Sequence, residues 1–296
     1  MTPQRKKDPM PTIGDALYQS SRLLLDAGID TGSLEASLLL GRATGLDRLR
    51  LINHTADTLA DDALRQFEDL LERRLKREPL QYILGNTEFM GLVFQVNPSV
   101  LIPRPDTEIL VEAVLDLEEV RGNTPITAAD IGTGSGAIAI ALARFLPYLT
   151  IIATDICPDA LALAKTNANL HGVAHQVQFA QGDGLHALER PVDYLIANPP
   201  YIADDVIATL EPEVRDYEPR LALTPGPDAY HWYREFATTG AHWVLPGGFI
   251  ALEVGAGQAT TVGDILNQSG NWEHLRIHQD LANIDRVITA QRHAKP

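Results

Sequence analysis

Cysteine is almost absent: Cys157 is the only one in 296 residues. An internal disulfide and a cysteine-based metal site are thereby excluded, and Cys157 reads as a small apolar residue after a strand, in a reducing compartment. Positive charge is also short. The 24 Lys and Arg stand against 39 Asp and Glu, a formal net charge of -15, which disfavours holding nucleic acid by neutralising phosphates over a wide surface. No apolar run reaches membrane-spanning length, and the polar stretch Met1 to Met10 leads into no apolar segment of the kind that directs secretion. A cytoplasmic protein with no membrane and no DNA partner is expected. The nine histidines show no metal-ligand spacing, so no metal is expected either. Internal repeats and low-complexity tracts are missing.

What is present is the composition of an ordinary soluble protein, with a chain long enough for one large or two modest domains. Residues 1–11 read as a tail. From Thr12 the apolar residues Ile13, Leu17, Leu24 and Leu25 recur at helical spacing, with Gly28 as a stop. A second helix is expected from Ser33, carrying Ala36, Leu39, Leu40 and Ala43. A third opens at Asp61 or Asp62 and runs through Leu64, Phe67, Leu71 and Leu75 to the cations Arg73, Arg74, Lys76 and Arg77. Those cations read as complements to the helix dipole on a solvated face, in preference to a nucleic-acid patch. Residues 12–78 thus form a helical domain. Residues 79–105, broken by Gly and Asn-Pro, read as a hairpin-like connector. A helix follows with Ile109, Leu110, Ala113, Val114 and Leu117, for which Asp106 is the expected N-cap.

Beyond Pro125 strands alternate with helices, the pattern of a mainly parallel sheet with crossover helices. Strands are expected at 126–131, 150–154, 177–180, 192–197 and 249–254, with a closing antiparallel pair at 274–278 and 286–290. Helices are expected at 136–145, 158–170, 229–244 and 259–267. Residues 106–296 make up this second domain. The connection Ile202 to Asp228, rich in Asp, Glu and Pro, is long for its class and a candidate substrate lid.

Four strand ends carry the chemistry. Asp130-Ile131-Gly132-Thr133-Gly134-Ser135-Gly136 joins the first strand to its helix, where glycines let backbone approach a ligand. That loop alone fits a dinucleotide as well as S-adenosylmethionine. Asp155 ends the second strand, at the spacing from which a carboxylate reaches ribose hydroxyls. Asp183 follows the third, within reach of an adenine amine. Asn198-Pro199-Pro200-Tyr201 ends the fourth. Its prolines stiffen the backbone; the Asn198 oxygen and the Pro199 carbonyl can accept both hydrogens of an NH2 group while Tyr201 packs on the substrate's face. An acidic rim with no pyrophosphate-binding arginine suits a sulfonium nucleoside better than a dinucleotide. His231, Trp232 and Tyr233 sit in an amphipathic helix and read as packing.

Asp130 to Gly136 and Asn198 to Tyr201 resemble the S-adenosylmethionine loop and catalytic motif of class I methyltransferases. Leu101-Ile102-Pro103-Arg104-Pro105-Asp106-Thr107-Glu108, the stretch Pro79 to Gly85 and Tyr217-Glu218-Pro219-Arg220-Leu221-Ala222-Leu223 are similar to the peptide chain release factor glutamine methyltransferases, the PrmC/HemK family. The resemblance implies an α/β fold: a doubly wound, Rossmann-like seven-stranded sheet with a small all-α amino-terminal domain joined by a β-hairpin. It implies methylation, as a monomer, of the amide nitrogen of the Gln in the Gly-Gly-Gln tip of release factors, with S-adenosylhomocysteine as product. Cofactor contacts fall on Asp130, Gly132, Thr133, Gly134, Gly136, Asp155, Asp183 and Asn198. Catalysis falls on Asn198, Pro199 and Tyr201, and substrate binding on these with Pro200 and Arg104. The ribosomal-protein glutamine methyltransferases differ at Pro105-Asp106-Thr107-Glu108, which favours release factors as substrate. An adenine-amine methyltransferase of DNA or RNA is the rival from the same corner. Two places depart from the family: Gly184 stands where an aromatic residue is common, and Ala282 to Arg286 lacks a frequent glycine.

Overall fold

The computed structural model describes residues 10–121 and 125–294. The expected tail at residues 1–11 therefore lies, up to residue 9, outside the described residues. Two compact units divide the chain between Leu84 and Gly85.

The first unit is all-helical. Its first helix, α1 (Ile13–Asp26), opens with a capping box in which Asp15 N donates to Thr12 Oγ1 at 3.1 Å and Thr12 N to Asp15 Oδ2 at 3.2 Å. Next come α2 (Gly32–Thr44), α3 (Arg48–Asn53), α4 (Asp61–Leu75) and α5 (Leu80–Leu84). Sequence periodicity misses α3 and α5, because six and five residues are too few to show a period. Leu80 to Leu84 is thus helix, not hairpin, and Ile83 packs into the core of Leu39, Leu40, Leu51 and Phe67.

Of the cations ending α4, Arg73 and Lys76 keep the exposed face expected of them, while Arg74 and Arg77 do not. Arg74 is buried and bonds Glu35 of α2, Nε to Oε2 at 2.5 Å, while Thr31 Oγ1 donates to Glu35 Oε1 at 2.7 Å. Arg77 Nη1 donates to the carbonyls of Ala27 and Gly28 at 3.2 and 3.1 Å, closing the end of α1.

The second unit begins with a hairpin of β1 (Asn86–Phe89) and β2 (Leu92–Gln95). Met90 and Gly91 both have positive φ, 52° and 69°, the two-residue turn that matches strand twist. A 3-10 turn, Pro105–Thr107, leads into α6 (Glu108–Arg121). Asp106 does not cap this helix; its carboxylate pairs with Arg286 at 2.9 Å.

Thereafter come β3 (Ile126–Ile131), α7 (Ala137–Phe145), β4 (Leu149–Asp155), α8 (Pro158–Leu170), β5 (Val177–Gln181) and β6 (Val192–Ala197). The connection from β6 is folded through α9 (Pro212–Tyr217) and α10 (Arg220–Leu223). Then follow α11 (His231–Thr238), α12 (Gly240–Trp243), β7 (Val244–Glu253), α13 (Ala259–Ser269), β8 (Trp272–Gln279) and β9 (Asp285–Arg292). The helix expected at 229–244 is in two pieces, and β7 starts five residues before the expected strand. Pro246-Gly247-Gly248 hides that extension from a propensity reading. Gly248 is required there, because a β-carbon would lie 2.5 Å from the Asp193 carbonyl oxygen.

The seven strands are ordered β5-β4-β3-β6-β7-β9-β8, with β9 antiparallel to both neighbours and the rest parallel. Both faces are covered, by Ile140, Leu142 and Tyr194 on one side and Leu195, Phe236 and Leu252 on the other. From β3 the chain winds outward to β4 and β5, then returns to β6 on the opposite side. The carboxyl ends of β3 and β6 flank this switch point, where open α/β sheets bind ligands. In the turn before β9, the missing glycine is replaced by Asn283, at φ 60°, a residue whose short polar side chain tolerates that conformation. Among the described residues no helix is long and apolar enough to cross a membrane.

Candidate active site

Asp130 lies at the foot of the glycine loop, fully buried, and accepts from Thr133 Oγ1 at 2.6 Å. Burial pushes its carboxyl up to about 7 against the Thr133 and Ala139 hydrogen bonds, and Oδ1 has no partner. Its observed contacts hold the loop from beneath. Above it Gly132 and Gly134 have φ of 75° and 54°, values that a β-carbon makes costly. Gly136 serves packing: a β-carbon there would stand 2.7 Å from Ile140 Cδ1 and 3.2 Å from Ala164 Cβ.

Asp155, at the end of β4, clamps the loop from the side. Its Oδ2 accepts from Gly134 N and its Oδ1 from Cys157 N, each at 2.9 Å. Each carboxylate oxygen retains a further lone pair, so two ribose hydroxyls can still be received. Asp183 and Gly184 follow β5. Over Gly184 stands Trp232 of α11, so close that a β-carbon at 184 would sit 2.4 Å from the indole Cζ3. The rigid ring occupies the space that a side chain at 184 would take. Trp232 stacks in turn on Phe236, ring centroids 6.0 Å apart. The packing role expected for this cluster holds for Tyr233, which is buried and bonds the Glu253 carbonyl at 3.0 Å. It is incomplete for Trp232, which lines the cavity described below.

At the end of β6, Asn198 Nδ2 donates to Thr107 Oγ1 at 3.2 Å. Pro199 is buried behind it. Tyr201 turns its ring into the core and points its hydroxyl at Glu253 Oε1, 3.4 Å away; burial and the nearby Glu253 raise its pKa. Burial likewise pushes the Glu253 carboxyl up to about 7. Arg104 pairs with Glu218, whose Oε2 also accepts from Ile102 N at 3.2 Å. This pair ties the long connection between β6 and α11 to the segment before α6, and Ile202 N donating to Leu223 O at 3.0 Å closes the same connection on itself.

These elements enclose one cavity of about 430 Å³, within the range of small-molecule sites. Of the residues singled out by sequence, Gly132, Thr133, Gly134, Asp155, Asp183, Asn198, Pro199, Pro200 and Arg104 line it. Asp130, Gly136 and Tyr201 are not in its lining and stand directly behind. Sequence reasoning passed over Thr107 and Trp232 as lining residues. Gly184 was the available signal for Trp232, since a missing aromatic asks where another comes from. The open space above Gly132 and Gly134, with no atom within 4 Å of a β-carbon built on either, and the paired acceptors of Asp155 fit a nucleoside with a cationic tail.

Comparison with known proteins places the chain in a family. Residues 15–85 match the family model of the PrmC N-terminal domain, and residues 106–211 that of the methyltransferase small domain. The release factor glutamine methyltransferase of Moorella thermoacetica is 43% identical over 282 residues, covering 95% of this chain and 99% of the relative. That of Geobacter sulfurreducens is 40% identical over 284 residues, covering 96% and 98%. A methyltransferase structure from Pyrococcus furiosus, 13% identical, superimposes with a TM-score of 0.50 over 78% of this chain and 99% of that one, a likeness of fold alone. With such identity running end to end through both chains, the protein belongs to the release factor glutamine methyltransferase family.

Proposed function

We propose that the chain transfers a methyl group from S-adenosylmethionine to the side-chain amide nitrogen of the Gln in the Gly-Gly-Gln tip of release factors. The observation that carries this reading is the Asn198 amide, held by its nitrogen on Thr107 so that its oxygen is free to accept, in the same cavity as the Asp155 clamp. The bound cofactor supplies an electrophilic methyl on a sulfonium. An amide nitrogen is a poor nucleophile because its lone pair is delocalised into the carbonyl. Asn198 Oδ1 and the Pro199 carbonyl hold its two N–H bonds, favour a pyramidal nitrogen in line with the methyl, and stabilise the positive charge that develops. The methylated amide is acidic enough to lose its proton afterwards, so no strong base is needed beforehand. Asp155 receives the ribose, Asp183 the adenine amine, and Trp232 the adenine face. Arg104 braces the substrate-side wall through Glu218. The helical unit recognises the release factor, and the protein works as a monomer in the cytoplasm, without DNA or membrane as partner.

The test is transfer of labelled methyl to purified release factor, beside its Gln-to-Ala tip variant and a DNA control. Label confined to the release factor and lost in the tip variant is expected. Label in DNA, or cofactor binding with no transfer to any substrate, overturns the reading.

The adenine wall has its own prediction. Trp232→Ala is expected to weaken S-adenosylhomocysteine binding by about tenfold, the low end of base-aromatic stacking, and Trp232→Phe to recover most of it. Calorimetric titration checks this; unchanged affinity in Trp232→Ala would move the adenine elsewhere.

A further inference from the structure

Asn198 accepts from a substrate NH2 only if its own NH2 is turned away, and a flip of about 180° exchanges the two ends. What sets the flip lies behind Asn198. Thr107 Oγ1, 3.2 Å from Asn198 Nδ2, is buried, and the carboxyl of Glu253 at the end of β7 lies near enough for the Thr107 hydroxyl to lower its pKa. Glu253 is itself 3% exposed; its Oε1 also faces the Tyr201 hydroxyl at 3.4 Å, and its Oε2 has no hydrogen-bond partner. A carboxylate only accepts. With the Glu253 carboxylate as the acceptor beside it, the Thr107 hydrogen turns that way and leaves Thr107 Oγ1 to accept from Asn198, so that the Asn198 oxygen is the end facing the cavity.

We infer that Thr107 and Glu253 are positioning residues, a buried relay that locks the Asn198 amide with its oxygen toward the substrate nitrogen. This rests on the amide-methyltransferase reading above and names what orients its central residue.

The relay runs in one direction only while Glu253 is ionised. Burial raises its carboxyl, the Asp106 carboxylate raises it further, and the Thr107 bond, the Tyr201 bond and Arg286 oppose them, leaving it at about 7. Arg286 is shared with Asp106 and Asp280, at 2.9 Å each. Tyr233, the remaining titratable neighbour, is itself raised above its ordinary value, so it stays protonated with Tyr201. A protonated Glu253 donates to Thr107. The Thr107 hydrogen then turns to Asn198 and takes its oxygen, so the amide presents NH2 to the substrate's NH2, donor against donor. Turnover is lost as pH falls through about 7 and is fully present above it.

The experiment measures kcat and KM for the release factor from about pH 6 to about pH 9, with S-adenosylhomocysteine affinity by calorimetry, in wild type, Thr107→Val, Thr107→Ser and Glu253→Gln. Thr107→Val is expected to lower kcat about 10- to 100-fold, the scale of a misplaced reacting group, with KM and cofactor affinity within about twofold, and Thr107→Ser to restore most of it. Glu253→Gln, which carries a donor like the protonated acid, is expected to be slow throughout and to lose the pH step. Wild-type kcat in Thr107→Val, no rescue by Thr107→Ser, or a pH step that persists in Glu253→Gln overturns the relay while wild-type methylation of the release factor stands. A wild type that binds cofactor and leaves the release factor unlabelled overturns the underlying reading and the relay with it.

Discussion

Asn198→Ala is expected to lower kcat for release factor methylation by about 10²- to 10³-fold, the cost of removing one preorganised group aimed at developing charge. The reaction leans on this residue because the amide acceptor has little nucleophilicity of its own. Without Asn198 Oδ1 the substrate NH2 keeps one acceptor, the Pro199 carbonyl, and the nitrogen is free to remain planar and conjugated. The loss belongs in kcat, since the interaction strengthens as the nitrogen pyramidalises. Single-turnover transfer with enzyme and cofactor in excess measures it directly. A rate within about threefold of wild type, well below the effect of such groups, would remove Asn198 from the chemistry.

Arg74→Met is expected to destabilise the helical unit by about 3–5 kcal/mol, the usual cost of stranding one partner of a buried ion pair. Glu35 would keep only the Thr31 hydroxyl of the partners described above. The side chains of Glu35 and Arg74 are 10% and 6% exposed, so water cannot replace the guanidinium. The double variant Glu35→Leu/Arg74→Met is expected to recover most of the loss, because an apolar pair of similar volume costs little. Hydrogen exchange of the α2 and α4 amides reads the effect in this unit. A loss below about 1 kcal/mol in the single variant would mean that the pair is solvated like a surface bridge.

Sequence made the second unit legible because its signals are strong ones. Buried strands such as Ile126 to Ile131 are largely apolar, and β3, β4 and β6 each run into a residue or loop with a chemical reason to be there. The strand ends Asp155 and Asn198 and the glycine loop at 132–134 are all in the cavity lining. What escaped were contacts between residues far apart in sequence. Thr107 has no feature that distinguishes it from any residue in a turn until β6 brings Asn198 beside it, 91 positions later. Glu253 looks like the polar end of a strand, and only burial reveals its perturbed carboxyl. Arg74 looked like one of four cations at a helix end, since periodicity cannot tell a buried arginine from an exposed one without knowing that Glu35 lies opposite. Trp232 and Tyr233 are adjacent letters whose side chains leave the helix about 100° apart, one into the cavity and one into the core.

The central position of β6 bears on how the site comes into being during folding. β3 pairs with β4 and β4 with β5 across single crossover helices, so the glycine loop and its Asp155 clamp rest on comparatively local contacts. The pairing that carries Asn198 joins β3 to β6, from Ala128 beside Tyr194 to Ile131 beside Ala197, next to the Thr127–Asp193 bond that spans 66 positions, and loop-closure entropy makes such long-range pairing slow. Cofactor affinity should therefore be acquired earlier in refolding than the power to methylate. A partly folded chain would be a holder of the methyl donor before it is an enzyme.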